Sequence, residues 1–167
     1  MSESILHKDL HINLMDFRER TAHSSDFIEH RLKVGEIQCA LIYCDGMVKQ
    51  ELIAQFMARS LSVLQGKRET PDTLMRCLID RTILAADQQP CNTMDEVLSF
   101  AMSGFVVILV DGVNHALACG LQGFALRSVS EPDTEMNLRG AREGFVEAIR
   151  VNQAMIRRRI KSTHLKF

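Results

Sequence analysis

Two short apolar runs, each followed by an Asp-Gly pair, place the strongest constraint on how this 167-residue chain folds. The first is Ile37–Cys44, followed by Asp45, and the second is Phe105–Val110, followed by Asp111. Runs of this length that end in turn residues are typical of strands buried within a sheet. They are far shorter than the about 20 residues needed to cross a bilayer. The sequence therefore predicts a sheet that contains both runs, with Ile37–Cys44 in a central position.

The rest of the chain alternates between helical and extended patterns. Helices are predicted over 3–18, 47–64, 72–84, 94–102 and 141–161, strands over 26–34, 115–121 and 123–129, and a polar loop over 87–92. A tight turn at Gly35-Glu36 is predicted to join the strand over 26–34 to Ile37–Cys44 in a β-hairpin. Thr93 is followed three residues later by Glu96, a pattern that caps a helix start from both sides. Together these elements predict an α/β fold in one domain over 1–167, a mixed sheet of about four to five strands with helices packed on its faces.

Composition excludes several classes of protein. Twenty Lys and Arg against 21 Asp and Glu give a net charge of -1, which argues against nucleic-acid binding, because that needs an excess of cations. The amino terminus lacks the charged start followed by an apolar segment that is typical of a signal peptide, so none is predicted. The five cysteines are odd in number and lack paired spacing, so they are expected to be buried reduced thiols. We expect no metal and no cofactor.

The two carboxylates that follow the apolar strands are candidate ligand contacts. In open α/β sheets ligands gather beyond the carboxyl ends of strands, so Asp45 and Asp111 could face one crevice. Asp-Gly is also ordinary turn chemistry, and Asp45 could simply cap the next helix. The sequence leaves both interpretations open.

A second candidate site lies where the last predicted helix begins. Arg139 and Arg142 flank a glycine-containing loop that enters this helix, an arrangement that can hold an anion at a helix amino terminus. The loop lacks the Lys-Ser/Thr ending of a P-loop. Glu143 also puts a carboxylate in the first turn, where it would take the place of an anion.

The end of the same helix carries three consecutive arginines, beginning with Arg157 and Arg158. They are placed to interact favourably with the helix dipole, and the alternative is a basic patch that contacts a partner or an anionic membrane. Asn152 lies on the apolar stripe of the helix and is expected to bond a neighbouring backbone. No nucleophile, metal or nucleotide motif occurs, so we expect that the domain is not an enzyme.

The carboxyl-terminal block resembles that of a known family. It comprises Arg127-Ser-Val-Ser-Glu-Pro-Asp-Thr-Glu, then Arg139-Gly-Ala-Arg-Glu-Gly-Phe-Val-Glu, and then Asn152-Gln-Ala-Met-Ile-Arg-Arg-Arg-Ile. This block is similar to the signature of GerA-family spore germination proteins, and the two Asp-Gly strands also resemble the family's. The family usually has Gly-Pro where this chain has Gly140-Ala141, a mild departure, because proline there would only pre-set the first helical turn.

The resemblance implies the first cytosolic subdomain of a spore germinant receptor A-subunit, a soluble domain on the cytoplasmic side of the spore inner membrane. A second subdomain, expected to begin near Phe167, and a transmembrane region would be absent from this chain. The implied partners are the receptor's B and C subunits and other A-subunits, and the implied role is receptor assembly and nutrient-triggered signalling. Small-molecule sensing is the alternative, and a sporulation-stage paralogue of the receptor subunit fits the same pattern.

Overall fold

Every strand pairing in this protein is antiparallel within the part of the chain that the structure describes. The structure, a computed structural model, describes residues 4–63, 70–81, 87–123 and 145–167. The strands are β1 (Phe27–Val34), β2 (Ile37–Cys44), β3 (Gln88–Cys91), β4 (Val106–Val110) and β5 (Ala116–Cys119), in the sheet order β1-β2-β4-β5-β3. The helices are α1 (Leu10–Thr21), α2 (Gln50–Val63), α3 (Pro71–Arg81), α4 (Met94–Ala101) and α5 (Ile149–Arg159).

The predicted α/β class is confirmed, with helices on both faces of the sheet. Alternate residues of β2 enter different cores: Ala40 and Ile42 lie in the core that contains α1 and α4, while Cys39 and Leu41 lie in the core that contains α3. This follows from the period of two in a strand, which sends successive side chains to opposite faces. Because β2 and β4 are covered on both sides, their sequences are almost continuously apolar, as the opening pattern predicts, and the exception is the exposed Gln38 near the start of β2. In place of the mixed sheet expected, the described pairings are all antiparallel.

The hairpin of β1 and β2 forms with the predicted turn. Val34 pairs with Ile37 next to the turn, and Phe27 pairs with Cys44 at the far end. Gly35 sits between them with a φ of 60°, a conformation that glycine adopts without steric cost.

The first helix begins later than the predicted start at residue 3. Asp9 caps α1 by accepting a hydrogen bond from the His11 amide, and the Asn13 side chain bonds both the amide and the carbonyl of His7. These side-chain bonds hold the preceding backbone in an extended path, in which Ile5 forms a β-bridge with Thr93. The apolar spacing that predicted the helix therefore includes Leu6, which is buried although the segment around it is extended and mostly exposed.

The polar stretch 87–92 is a strand, and the loop prediction there is wrong. Gln88–Cys91 pairs with Ala116–Cys119 as an edge strand. Pro90 lacks a backbone donor, so it misled the sequence interpretation, but an edge strand leaves one row of backbone groups unpaired and tolerates proline. The predicted strand over 123–129 lies largely outside the described residues.

Within the described residues 145–167, the last helix begins at Ile149, which is later than the predicted start at 141. Asn152 explains the start: its side chain accepts a hydrogen bond from the Val146 amide and donates one to the Val146 carbonyl. The expectation that Asn152 bonds a neighbouring backbone is confirmed. Both bonds hold the residues before α5 in a non-helical turn.

Candidate functional site

The structure separates the two carboxylates that the sequence placed around one crevice. β2 and β4 are antiparallel, with Cys39 opposite Val110 and Ile42 opposite Val107. Their carboxyl ends therefore point to opposite edges of the sheet, and Asp45 lies at one edge while Asp111 lies at the other. The shared crevice would require parallel strands, so that interpretation is corrected.

Asp111 holds the beginning of α1. One of its carboxylate oxygens accepts a hydrogen bond from the Leu10 amide at 3.0 Å, which satisfies a helix amide that has no partner within the helix. A solvent-connected cavity of about 210 Å³ lies beside it, and its polar lining includes Asp9, Arg31 and Gln38. The cavity is smaller than the roughly 300–1,000 Å³ usual for small-molecule sites.

Arg31, on the wall of this cavity, shares a carboxylate with a second arginine. Glu29 accepts hydrogen bonds from Arg31 at 2.6 Å and from Arg18 at 2.7 and 2.8 Å. Burial alone would raise the pKa of Glu29, but the two arginines outweigh it and hold the pKa below its ordinary value. Glu29 is therefore a charged anchor between α1 and β1.

Asp45 stabilises the turn that follows β2. Its side chain accepts a hydrogen bond from the Gly46 amide at 3.0 Å and lies 3.5 Å from the guanidinium of Arg150, whose side chain is largely exposed. Its backbone amide donates to the carbonyl of Asp26 at 2.7 Å. The turn interpretation of Asp45 thus fits the geometry, although α2 begins several residues later and is not capped by it.

The remaining predicted contacts divide into two groups. Arg139, Arg142 and Glu143 lie outside the described residues. Arg158 is half-buried on the last turn of α5. Arg157, in contrast, is almost completely buried, with 1% of its side chain exposed.

Arg157 is the centre of a buried ion pair that joins distant parts of the chain. Its guanidinium donates two hydrogen bonds to the carboxylate of Asp26, at 2.6 and 3.0 Å. It donates two more to the backbone carbonyls of Ser162 and Leu165, at 2.6 and 2.9 Å. Asp26 is only 4% exposed, so both charges are removed from water together. Such a pair is stable only when geometry and additional hydrogen bonds offset desolvation, and both conditions hold here.

Two aromatic rings flank the guanidinium. Its central carbon lies 4.9 Å from the ring centroid of Phe27 and 5.2 Å from that of Phe167. Aromatic faces attract a cation most strongly when water is excluded. We call the group formed by Arg157, Asp26, Ser24 and the two phenylalanines the Arg157 clamp.

The clamp fixes the carboxyl-terminal segment, residues 160–167, against the start of β1. The Ser24 hydroxyl donates to the Asp26 carboxylate at 2.7 Å and accepts from the Phe167 amide at 3.0 Å. The Phe167 carbonyl accepts from both the amide and the hydroxyl of Ser25, at 3.3 and 3.1 Å. Within the described ranges, every buried side-chain nitrogen or oxygen has a hydrogen-bond partner. The segment is therefore held by side-chain and backbone contacts together.

Four of the cysteines are buried, and their thiols are expected to be unreactive. Burial raises the pKa of Cys39, Cys44, Cys91 and Cys119 to about 12, so these thiols are protonated at neutral pH. For Cys44, the carboxylate of Asp26 adds to the effect of burial. Over residues 4–63, 70–81, 87–123 and 145–167, no three metal-binding side chains come together.

The clamp could hardly be predicted from the sequence. Arg157 belongs to the predicted basic helix end, but its partner Asp26 lies 131 residues away, and Ser24 lies in a polar stretch before the first predicted strand. Pairing over such a distance cannot be read from the local pattern of one sequence. The one available hint was a run of small polar residues directly before a strand, where a carboxylate can remain close to the core.

Comparison with known proteins identifies the family to which the chain belongs. Residues 15–167 match the family described as Bacillus/Clostridium GerA spore germination protein. The chain belongs to the GerA family. Among its relatives, it is 34% identical over 143 residues to stage V sporulation protein AF of Bacillus subtilis and 31% identical over 156 residues to spore germination protein KA of the same organism. These matches cover 86% and 92% of the chain, but only 29% and 28% of the relatives. The GerA-family chain thus spans less than a third of the relatives' length.

A solved structure shares the fold. It is the crystal structure of the N-terminal domain of the A subunit of the Bacillus megaterium spore germinant receptor GerK3, with a TM-score of 0.75 and 24% sequence identity. The match covers 98% of this chain and 59% of the crystallised one. Among the described residues, no helix combines the length and apolar character required to span a bilayer.

Proposed function

We propose that this GerA-family chain is a domain of a spore germinant receptor A-subunit that takes part in receptor assembly and in nutrient-triggered germination signalling. Its similarity to spore germination proteins and the Arg157 clamp support this proposal. The domain would lie on the cytoplasmic side of the spore inner membrane. It would act by binding, without catalysing a reaction.

The clamp is the observation that carries the proposal. It joins α5, the start of β1 and residues 160–167 through one buried guanidinium. A segment held in this way cannot move independently of the sheet, so a displacement on either side passes to the other without being absorbed by a flexible joint. Rigid connection of this kind suits a domain that relays or stabilises a receptor state.

The partners of the domain follow from the same proposal. In a longer protein of this family, residues 160–167 would lead into a second subdomain and then a transmembrane region. The B and C subunits and neighbouring A-subunits would meet the domain in the assembled receptor. The same geometry would serve a sporulation-stage paralogue, to which the chain is also similar.

The experiment uses spores of the organism that encodes the chain, with the Arg157→Met substitution at the native locus. Receptor assembly is measured as the amount of the subunit in inner-membrane fractions, and signalling as the rate of absorbance loss after nutrient addition. We expect both to fall, or germination to fall at normal receptor level. Arg150→Met on the same helix is the matched control, because its ion pair is exposed. Unchanged germination after deletion of residues 1–167 would refute the proposal.

A second candidate function is the binding of a small molecule, and the cavity beside Asp111 favours it. Its lining contains Asp9 and Asp111 as acceptors and Arg31 as a donor, so a small compound with both amino and carboxylate groups would match its chemistry. A shift in Tm with millimolar amino acids, lost in Gln38→Leu, would support this function. No shift across a panel of amino acids, sugars and nucleotides would exclude it.

A further inference from the structure

The two edges of the sheet are not equally protected. β3, at one edge, is four residues long and contains Pro90. β1, at the other edge, runs for eight residues without proline or glycine, and its register with β2 is continuous from Phe27 to Val34. Proline, short length and bulges are common features that keep an edge strand from pairing with another chain. β1 has none of these three, so its charged side chains decide what can pair with it.

Three residues of β1 turn backbone groups away from the sheet. The Asp45 amide donates to the Asp26 carbonyl, so Asp26 forms a hydrogen-bonded pair with the end of β2. Bonded and non-bonded pairs alternate along an antiparallel ladder, so the amides and carbonyls of Glu29, Arg31 and Lys33 point away from β2. Within the described part of the chain, no other strand pairs with this side of β1. These backbone groups are therefore available to a further strand.

Two opposite charges on β1 indicate which strand fits. Arg31 binds Glu29 of its own chain through Nε, and its two terminal nitrogens have no hydrogen-bond partner among the described residues. A strand that places a cation opposite Glu29 and a carboxylate opposite Arg31 is complementary, because directly opposite pairs of unlike charge stabilise a sheet. β1 of a second copy, running antiparallel, supplies both. When its Arg31 lies opposite Glu29, two-fold symmetry places its Glu29 opposite Arg31.

The charges also select the register of this pairing. With the two-fold axis at His30, Glu29 faces Arg31 of the second copy, and the half-buried Ile28 faces the half-buried Leu32. An axis at Arg31 would oppose two arginines and an axis at Glu29 would oppose two glutamates, and both arrangements are destabilising. An axis between two residues would set outward backbone groups against inward ones. Among registers centred on residues 29 to 31, the one at His30 therefore satisfies the backbone and the charges together.

We propose that β1 pairs with β1 of a second copy, antiparallel about a two-fold axis at His30, and joins two five-stranded sheets into one. The carboxyl-terminal segment leaves room for this strand. The Phe167 carbonyl accepts from the Ser25 amide just before β1, and the pairing from Phe27 to Lys33 ends short of that contact. The proposal rests on the proposed function only for its role, which is contact between A-subunits.

Disulfide cross-linking of the purified chain tests the register. His30→Cys should cross-link to itself upon oxidation, because directly opposite residues of a non-bonded antiparallel pair have Cα atoms about 4.5 Å apart, within disulfide range. Lys33→Cys, also exposed and on the same strand, is the matched control. The same axis separates its two copies by about 20 Å, so no cross-link is expected. Both variants also carry Cys77→Ser, since Cys77 is the native cysteine that is not fully buried.

Sedimentation velocity measures the association itself, and we expect a dimer that dissociates on dilution. Lys33→Pro removes an outward amide but no bond to β2, so it should weaken the dimer about tenfold or more, whereas Lys33→Gln keeps the amide and should change the dissociation constant less than about twofold. Arg31→Glu opposes two carboxylates at two symmetric positions and should also weaken the dimer about tenfold or more. Lys8→Glu, an exposed charge reversal outside β1, should have no such effect.

Three outcomes would overturn the proposal. A monomer at every concentration would leave the edge of β1 to a strand of another protein. Equal cross-linking of His30→Cys and Lys33→Cys, or a dimer that Arg31→Glu and Lys33→Pro leave unchanged, would place the contact between copies elsewhere. Circular dichroism checks the folding of each variant, and Arg31→Glu tests the same edge if Lys33→Pro unfolds. Cross-linking needs no receptor, so it can succeed while the germination test of Arg157→Met fails, and the reverse.

Discussion

Removing the guanidinium of Arg157 is the most direct test of the structure. Arg157→Met keeps a long side chain between the two rings but deletes four hydrogen bonds, and it leaves the Asp26 carboxylate 4% exposed without its counter-ion. Breaking one side of a buried ion pair costs about 3–5 kcal/mol. A domain of this kind has a total stability of about 5–15 kcal/mol, so the loss is a large part of it.

The measurement is the free energy of unfolding from urea titration, together with the Arg150→Met control. Arg150 lies on the same helix and forms an exposed pair at 3.5 Å, so its removal should cost less than about 1 kcal/mol. Asp26→Asn combined with Arg157→Met removes both charges and should recover part of the loss, because no uncompensated charge remains buried. The difference between the double and the summed single effects measures the coupling of the pair.

Hydrogen exchange locates the effect. In Arg157→Met the amides of Leu165 and Phe167, which are bonded to Ser162 and Ser24, should exchange faster, while those of the β2–β4 pairing should change only with global stability. If Arg157→Met and Arg150→Met were equally stable, the buried pair would contribute nothing and the reasoning would be refuted. Faster exchange throughout the sheet with no preference for residues 160–167 would equally contradict the clamp.

Three further predictions concern other parts of the domain. Because the pKa of Glu29 is depressed in the folded state, its stabilising effect is present above the unfolded pKa of about 4.3 and is lost as pH falls. Glu29→Gln should therefore flatten the decline in the free energy of unfolding between about pH 5 and 3. An equally steep decline in Glu29→Gln and in the unchanged protein would contradict this. Under native conditions at pH 8, Cys77 should be the only one of the five thiols that a maleimide labels quickly, because the other four are buried and their pKa is raised to about 12. Rapid labelling of several thiols, detected by mass spectrometry, would contradict this. Thr93→Ala should lower the free energy of unfolding by about 1 kcal/mol, since its hydroxyl accepts from the Glu96 amide, and Thr93→Ser should restore it.

Features that depend on residues close together in the chain could be predicted from the sequence. The turn at Gly35, the capping box at Thr93 and the boundaries of β2 depend on neighbours within a few residues, and all three were predicted correctly. The amide of Asn152 also found its partner nearby, at Val146. In each case the side chain and the backbone it serves lie within one short segment, so a single sequence carries the necessary information.

Long-range pairing was not readable. Whether Asp45 and Asp111 share an edge depends on the relative direction of two strands more than 60 residues apart, which apolar patterning does not encode. Pro90 fits a strand only because that strand lies at the sheet edge. The sequence predicts for Arg157 an interaction with the helix dipole or a contact with a partner or membrane, whereas in the structure it is buried, and only the distant Asp26 makes its burial favourable. The candidate site therefore emerged from three-dimensional contacts that the sequence left open.

The distance along the chain between the members of the clamp has a kinetic consequence. Arg157 and Asp26 are 131 residues apart, and Phe167 and Ser24 are 143 residues apart, so these contacts close some of the longest loops that the domain contains. Contacts of such separation repay their loop-closure entropy late, after the local hairpin of β1 and β2 has formed. Disruption of the clamp should therefore accelerate unfolding while hardly slowing folding. The lifetime of the native state, more than the speed with which it is reached, is what this single arginine governs.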